Sequence, residues 1–342
     1  MKHKLFKRSR GMALAAALFF GVTAVSLGAF SRSVSAEETQ ASGEAAQEAA
    51  KEDIALTGQI RSCKVTADKQ NVEIAFSTSG DTAGTDGKVD IFEQQTYENS
   101  LDGRTDYIAS ADALISSSAQ VPLNFGSTAD RLYSKFVLAA YDGTEYKAIS
   151  EPHYITNPEA VAKNTEAFKD PLTKKGLNIE IDMLEDAFDL GVKHVTTNIA
   201  FSQIMGTGIE YEYDGKIYHF NKAIMDDYDR TISALSNKGM TVTVIILNDW
   251  NPNRPDLIYP GTKKSSNAFY YMFNGANEAG FEQTRAIAAF LADHYSGKDP
   301  NHGKVSNWII GNEINNQQWN YMGSMDLTNY VKVYQQAFRI FY

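Results

Sequence analysis

Trp308-Ile309-Ile310-Gly311-Asn312-Glu313-Ile314-Asn315-Asn316-Gln317-Gln318-Trp319-Asn320 opens apolar and turns abruptly polar. Residues 305–310 read as a short buried strand, entered from a loop at 300–303 that contains Pro300 and Gly303. A carboxylate, Glu313, follows the strand within three residues, flanked by amides and followed by Trp319. Parallel α/β folds present catalytic groups in this way, on the carboxyl ends of their strands. A carboxyl group set beside apolar walls resists ionisation and can act as a general acid. The neighbouring Asn312 amide can hydrogen-bond a substrate hydroxyl. The residues alone also fit a carboxylate that caps the next helix, pairs with a surface cation or touches a sugar without catalysis.

Outward from this stretch, helix and strand patterns alternate. Residues 177–179 read as a first strand. Ile181, Leu184 and Phe188 then share one helical face, with Gly191 as a C-terminal cap. Residues 194–201 make a second strand, and Ile224, Tyr228, Ile232 and Leu235 stripe a second helix ending near Gly239. Residues 241–247 are a continuous β-branched run, expected to be buried on both faces. A helix over 281–295 leads to the Glu313 strand, the fourth. Leu327, Tyr330, Val331, Tyr334 and Phe338 stripe a last helix.

The Gly311-Asn312-Glu313-Ile314-Asn315 run, at the end of a fourth strand, resembles the clan-A retaining glycoside hydrolases, which are (β/α)8 TIM barrels. The layout also resembles a family of secreted bacterial proteins of uncharacterised function, with an N-terminal β domain before a barrel bearing this run. The resemblance covers roughly the second half of the chain. It implies that Glu313 is the acid/base and Asn312 its sugar-hydroxyl partner. It also implies a nucleophilic carboxylate at the end of strand seven, about 5 Å from the first. A full barrel takes about 250 residues, so residues 159–342 are expected to hold about four β/α units, with the nucleophile beyond Tyr342. Four units alone would leave apolar sheet edges open.

Each parallel strand should bring its tail to the same rim. The second offers Asn198, and the third offers Asn248, Asp249 and Trp250. Asn198 and Asn248 are candidate sugar-hydroxyl partners, while Trp250 and Trp319 are candidate stacking platforms for a pyranose. The same amides would also serve as loop anchors, and the indoles as core. Asp249 stands at a position that the family pattern does not use. The long loop 251–280 carries Tyr259, Tyr270, Tyr271 and Phe273, which either build a substrate site or anchor the loop.

The first half reads differently. Residues 1–10 are basic, residues 11–30 are apolar, and Val34-Ser35-Ala36 is a small-residue cleavage site. The expectation is a signal peptide over 1–36, cleaved after Ala36, and a secreted or cell-surface protein with no membrane span thereafter. An uncleaved anchor is the alternative, since the apolar run is nearly long enough to span. Residues 37–53, rich in Ala, Glu, Gln and Ser, read as a disordered linker. Residues 54–158 carry short alternating strands, among them 72–76, 89–92 and 136–141, with an Asp142-Gly143 turn signal. That spacing suggests an immunoglobulin-like β-sandwich, either a glycan-binding module or a spacer packed on the catalytic domain. Tyr97, Tyr107 and Tyr133 are expected at its core or edges.

Composition sets the outer limits. The chain has 342 residues, 43% hydrophobic and 22% charged, as in globular proteins. Residues 1–36 hold six of its 32 bases and no acid, which leaves 26 bases against 42 acids. Such a chain suits a neutral glycan and not a nucleic acid, whose phosphates demand positive contact. Cys63 is the only cysteine, so no intrachain disulfide is available, and it reads as a buried strand residue. The six histidines are scattered without zinc spacing, so no metal or cofactor is expected. The Gly206/Gly208 pair has Tyr at 211 and fails the dinucleotide fingerprint, and no Gly-x-Ser-x-Gly turn occurs.

Overall fold

Val72, Ile74 and Phe76 alternate with Glu73, Ala75 and Ser77, and this period of two turns one face of a strand into the core. The computed structural model describes residues 54–342 except 165, 168, 169 and 172. The signal-peptide and linker readings lie outside the described residues. Glu52–Tyr342 is a single compact unit of mixed sheets with few helices.

The first eight strands are β1 (Thr57–Val65), β2 (Asn71–Ser79), β3 (Lys88–Gln94), β4 (Ala109–Asp112), β5 (Ser116–Pro122), β6 (Lys135–Tyr141), β7 (Tyr146–Ala148) and β8 (His153–Tyr154). They form two antiparallel sheets, one ordered β1-β2-β5 and one ordered β4-β3-β6-β7, with β8 also on β6. Ile60, Cys63, Ile74 and Phe76 from the first share a core with Val89, Ile91, Phe136 and Leu138 from the second. Burial pushes the Cys63 thiol up to about 12. The Asp142-Gly143 turn joins β6 to β7, with Gly143 at φ 89°.

A parallel sheet follows, ordered β14-β13-β10-β9. In chain order, β9 (Gly176–Asn178) precedes α1 (Leu184–Asp189), and β10 (His194–Ala200) precedes a hairpin of β11 (Gly208–Tyr213) and β12 (Lys216–Asn221). Then come α2 (Lys222–Ser236), β13 (Thr241–Leu247), α3 (Glu278–His294), β14 (Asn307–Ile310) and α4 (Leu327–Phe341). Asn221, Asn277 and Asp326 cap α2, α3 and α4, each accepting main-chain N–H groups of the first turn. Among the described residues, no helix is long and apolar enough to cross a membrane.

Three details depart from the sequence reading. The hairpin at 208–221 was not expected, although Asp214 and Gly215 both take positive φ (51° and 71°), the signature of a tight two-residue turn. The fourth strand begins at Asn307 rather than 305, because the Val305 N–H turns back to the Tyr295 carbonyl (3.0 Å). The run 241–247 is not buried on both faces. Val242, Val244 and Ile246 are buried under the helices, while Thr241, Thr243 and Ile245 are only half-covered. Asn198 and Ile309 are exposed on the strands either side of β13, so one face of the parallel sheet stays open among the described residues.

The antiparallel sheets meet the parallel part at α3 and α4. Tyr97 and Tyr133 stand edge-on to Phe281 of α3, and the Arg285 guanidinium lies over Tyr133, Tyr213 and Phe281 at 5.2–5.5 Å. Gln336 of α4 donates to the Thr96 carbonyl (3.1 Å) and to Asn99 Oδ1 (3.0 Å). Tyr107 packs within its own half, edge-on to Phe92 and tilted against Tyr146.

Candidate active site

Parallel pairing of β13 with β14 ends at Ile246 and Ile310, and the Gly311 N–H continues the ladder to the Ile246 carbonyl (2.9 Å). Asp249 and Glu313 each follow three residues after that last pair. The two chain segments therefore leave the sheet together, at its carboxyl-terminal edge, each with an Asn-acid sequence.

Behind β14 the backbone is set by unusual torsions. Gly311 takes φ 72°, and a Cβ there would stand 2.3 Å from Asn320 Oδ1. Only glycine fits that approach. Asn320, almost fully buried, donates through Nδ2 to the Asn312 carbonyl (2.9 Å) and pins the turn. Glu313 itself takes φ 41°, a left-handed value uncommon for any residue other than glycine, and its carbonyl accepts the Asn316 N–H at 2.7 Å. Its side chain is exposed and meets no hydrogen bond or ion pair among the described residues. The carboxylate thus neither caps the next helix, whose cap is Asp326, nor pairs with a cation. The apolar walls expected around it are not part of its surroundings in the described chain.

Asn312 is half-buried beside Glu313. Trp319 lies near-parallel to Tyr270 (5.5 Å between centroids, 16°) and tilted against Phe269 (5.1 Å), which is 58% exposed. The Gln318 carbonyl accepts the Phe269 N–H at 2.8 Å, so the long loop and the loop after Glu313 are bonded to each other here. Trp250 is half-buried and tilted against Tyr271 (5.1 Å, 54°). Tyr271 and Phe273 are buried and anchor the long loop.

Asn248 is 1% exposed, and its Nδ2 donates to the Leu257 carbonyl at 2.9 Å. Its Oδ1 is buried without a partner. Its amide therefore holds the loop in place. Asn198 points from β10 onto the open face of the sheet, exposed and away from this loop anchor.

The environment expected for a proton-holding carboxyl occurs at Asp249. Burial pushes its pKa up, against the lowering effect of a hydrogen bond from the Gln203 amide. Its charge also reaches the Tyr228 and Tyr270 hydroxyls, both already raised by burial. Tyr228 accepts the Ala200 N–H (3.0 Å) and ties the end of β10 to α2, while Asn251 donates to the Ser202 carbonyl (3.0 Å) and links the segments that follow β10 and β13. Gln203, Tyr228 and Tyr270 escaped the sequence reading as members of one group. Tyr228 is the least legible, since its helical spacing marks it only as a core residue.

A cavity of about 990 Å³ lies elsewhere. It opens between β6 and α4 and is lined by Lys135, Tyr154, Asn329 and Gln336 among others. Large hollows commonly mark sites, but this one contains none of the residues of the strand-end cluster.

Among solved structures, the chain is similar at 8% identity to the catalytic module of the multi-modular glycogen-degrading pneumococcal virulence factor SpuA. That match covers 81% of this chain and 48% of the other, with a TM-score of 0.27. It is similar at 12% identity to the β-glucuronidase of Parabacteroides merdae, covering 83% and 32%, with a TM-score of 0.22. A β-glucuronidase of an uncultured Clostridium sp. matches at 12% identity, covering 81% and 40%, with a TM-score of 0.19. The chain thus spans less than half the length of these three proteins, and at such scores the likeness fixes neither fold nor activity. No curated protein matches in sequence. The chain belongs to the family of unknown function DUF5722, which matches residues 167–342, just over half its length.

Proposed function

We propose that this is a secreted carbohydrate-active protein whose residues 159–342 form part of a (β/α)8 glycoside hydrolase barrel acting on an oligo- or polysaccharide. Residues 54–158 are its immunoglobulin-like sandwich, and residues 1–36 a signal peptide removed after Ala36. The single observation that carries the reading is Glu313. It is an exposed carboxylate with no bonded partner among the described residues, at the carboxyl edge of a parallel sheet and six residues before Trp319, which packs half-buried with Tyr270 beside the exposed Phe269. In the proposed mechanism Glu313 protonates the leaving oxygen and then deprotonates water, while Asn312 holds the 2-hydroxyl. Trp319 and Trp250 offer their faces to sugar rings. The nucleophile is a carboxylate outside the residues assigned here.

The test is turnover of a panel of aryl glycosides and oligosaccharides by the protein and by Glu313→Gln. The amide cannot donate the proton, so hydrolysis should fall by about 10²–10⁴-fold, the usual contribution of a general acid. Equal turnover by the variant would remove Glu313 from the mechanism. Mass measurement of the mature N-terminus checks cleavage after Ala36.

The openness of Glu313 favours a second reading, a noncatalytic glycan-binding surface protein. Glycan binding that survives Glu313→Gln but is lost in Trp319→Ala, with no turnover by either, is the outcome that selects it.

A further inference from the structure

Asp229, His294 and His302 come from three separate segments and meet at one point. Asp229 lies midway along α2, His294 is the last residue of α3, and His302 sits in the turn that leads to β14. His294 Nε2 is 2.8 Å from Asp229 Oδ1, and His302 Nε2 is 3.9 Å from Asp229 Oδ2. One donor atom from each of the three falls within 4.8 Å of the others. The two imidazole rings are stacked, 3.7 Å apart and 17° from parallel, so their like nitrogens face the same carboxylate. Asp299 Oδ2 stands 3.9 Å from His302 Nε2, at the outer edge.

We propose that Asp229, His294 and His302 form a binding site for a divalent transition-metal ion of the zinc class. Two imidazole nitrogens and one carboxylate are a donor set that such ions accept, with bonds of about 2.0–2.2 Å and neighbouring donors therefore about 3.3–3.5 Å apart. The 2.8 and 3.9 Å separations bracket that spacing, and turning the two rings out of their stack points both nitrogens at one ion. Water completes it, since His302 is a third exposed while His294 and Asp229 are nearly covered.

A second observation points to the same spot. The Tyr295 hydroxyl is buried against Asp229 but makes no hydrogen bond of acceptable geometry. A buried polar atom without a partner is costly. A water held by the ion supplies the partner it lacks.

The site lies at the amino-terminal end of β14, opposite to Glu313. Its role is structural: it ties α2 to α3 and to the turn before β14, in a chain with a single cysteine and so no intrachain disulfide. Its test is therefore separate from that of the hydrolase reading. Metal-free protein, prepared by chelation, is titrated with Zn²⁺ calorimetrically and, in parallel, with Co²⁺ while the visible spectrum is followed. The expected result is one ion per chain, a cobalt spectrum of low-symmetry nitrogen–oxygen coordination, and a melting temperature raised by Zn²⁺. His302→Ala, in an accessible turn, should fold normally yet bind at least about 10–100-fold more weakly, the loss that even an outer-shell partner causes. His219→Ala, an exposed histidine of the hairpin, should bind as the parent does. Absence of stoichiometric binding overturns the proposal. So does unchanged affinity in both His302→Ala and the more disruptive Asp229→Asn.

Discussion

Replacing Lys135 with methionine should stabilise the protein near neutral pH and lose that advantage in alkali. Lys135 is 3% exposed, on β6 where the antiparallel sheets meet α4. Its Nζ donates to the Thr96 carbonyl (3.2 Å) and to Asn99 Oδ1 (3.1 Å), and no carboxylate pairs with it among the described residues. Burial pushes its pKa down from 10.5 to about 8. At about 1.36 kcal/mol per pH unit, that fall sets a ceiling of about 3 kcal/mol on the cost of keeping the ammonium in the fold. Against it stand two charge-assisted hydrogen bonds, worth about 1.5 kcal/mol each at the lower end for charged donors. Their acceptors are not orphaned in the variant, because Gln336 donates to both. The charge terms of Lys135→Met therefore nearly cancel near neutral pH, and a net gain of about 1 kcal/mol comes from the apolar surface that methionine buries.

The pH dependence follows from proton counting. Below about pH 8 both folded and unfolded parent hold the proton, so the cost is present in full. Between about 8 and 10.5 only the unfolded chain holds it, so parent stability rises with pH. The methionine variant has no such proton. Its advantage should be constant below about pH 8, then shrink and reverse toward pH 10.5, a swing of up to about 3 kcal/mol. Urea unfolding of both proteins across this range, followed by tryptophan fluorescence, measures the difference directly. A parent more stable at pH 7 by over about 1 kcal/mol, with a gap that does not move with pH, would falsify the argument.

Other outcomes follow from single sites. Gly311→Ala forces a Cβ against Asn320 Oδ1 at a positive φ, and should cost about 1–3 kcal/mol in denaturant unfolding together with glycan binding or turnover. Glu313→Gln, at an exposed position without partners, should shift stability by no more than about 0.5 kcal/mol, so any lost activity is chemical and not a folding defect. Cys63, buried with its thiol pushed up to about 12, should react with a thiol reagent only at the rate of unfolding; rapid reaction of the native protein would contradict its placement. Trp319→Ala should weaken glycan binding with little change in melting temperature, whereas an equal loss of both would make the Trp319–Tyr270 pair a packing contact.

Much of the secondary structure was written locally. The alternation at 72–76, the stripe Ile224–Tyr228–Ile232–Leu235 and the apolar run before Gly311 are patterns in neighbouring residues, and hydrophobic period alone assigns them to strand or helix. Glu313 was legible for the same reason, since a residue three places beyond a strand must leave the sheet at its end. The hairpin at 208–221 is equally local: Asp214-Gly215 marks its turn, and Ile209, Tyr211 and Tyr213 alternate with Glu210 and Glu212.

What the sequence could not supply depends on residues far apart in the chain. Whether a carboxyl is walled in is set by everything packed around it: Glu313 stands in solvent, while Asp249, set aside on motif grounds, has the burial and the Gln203 and tyrosine neighbours. Lys135 becomes a buried charge only because β6 is covered by α4, about two hundred residues later by sequence count. Asp229, His294 and His302 carry no metal spacing along the chain and meet only when α2, α3 and a turn pack together. Composition and period thus fixed which elements form and which strand end bears Glu313. Dielectric surroundings and ligand geometry came from packing, because both depend on distances through space that local pattern does not encode.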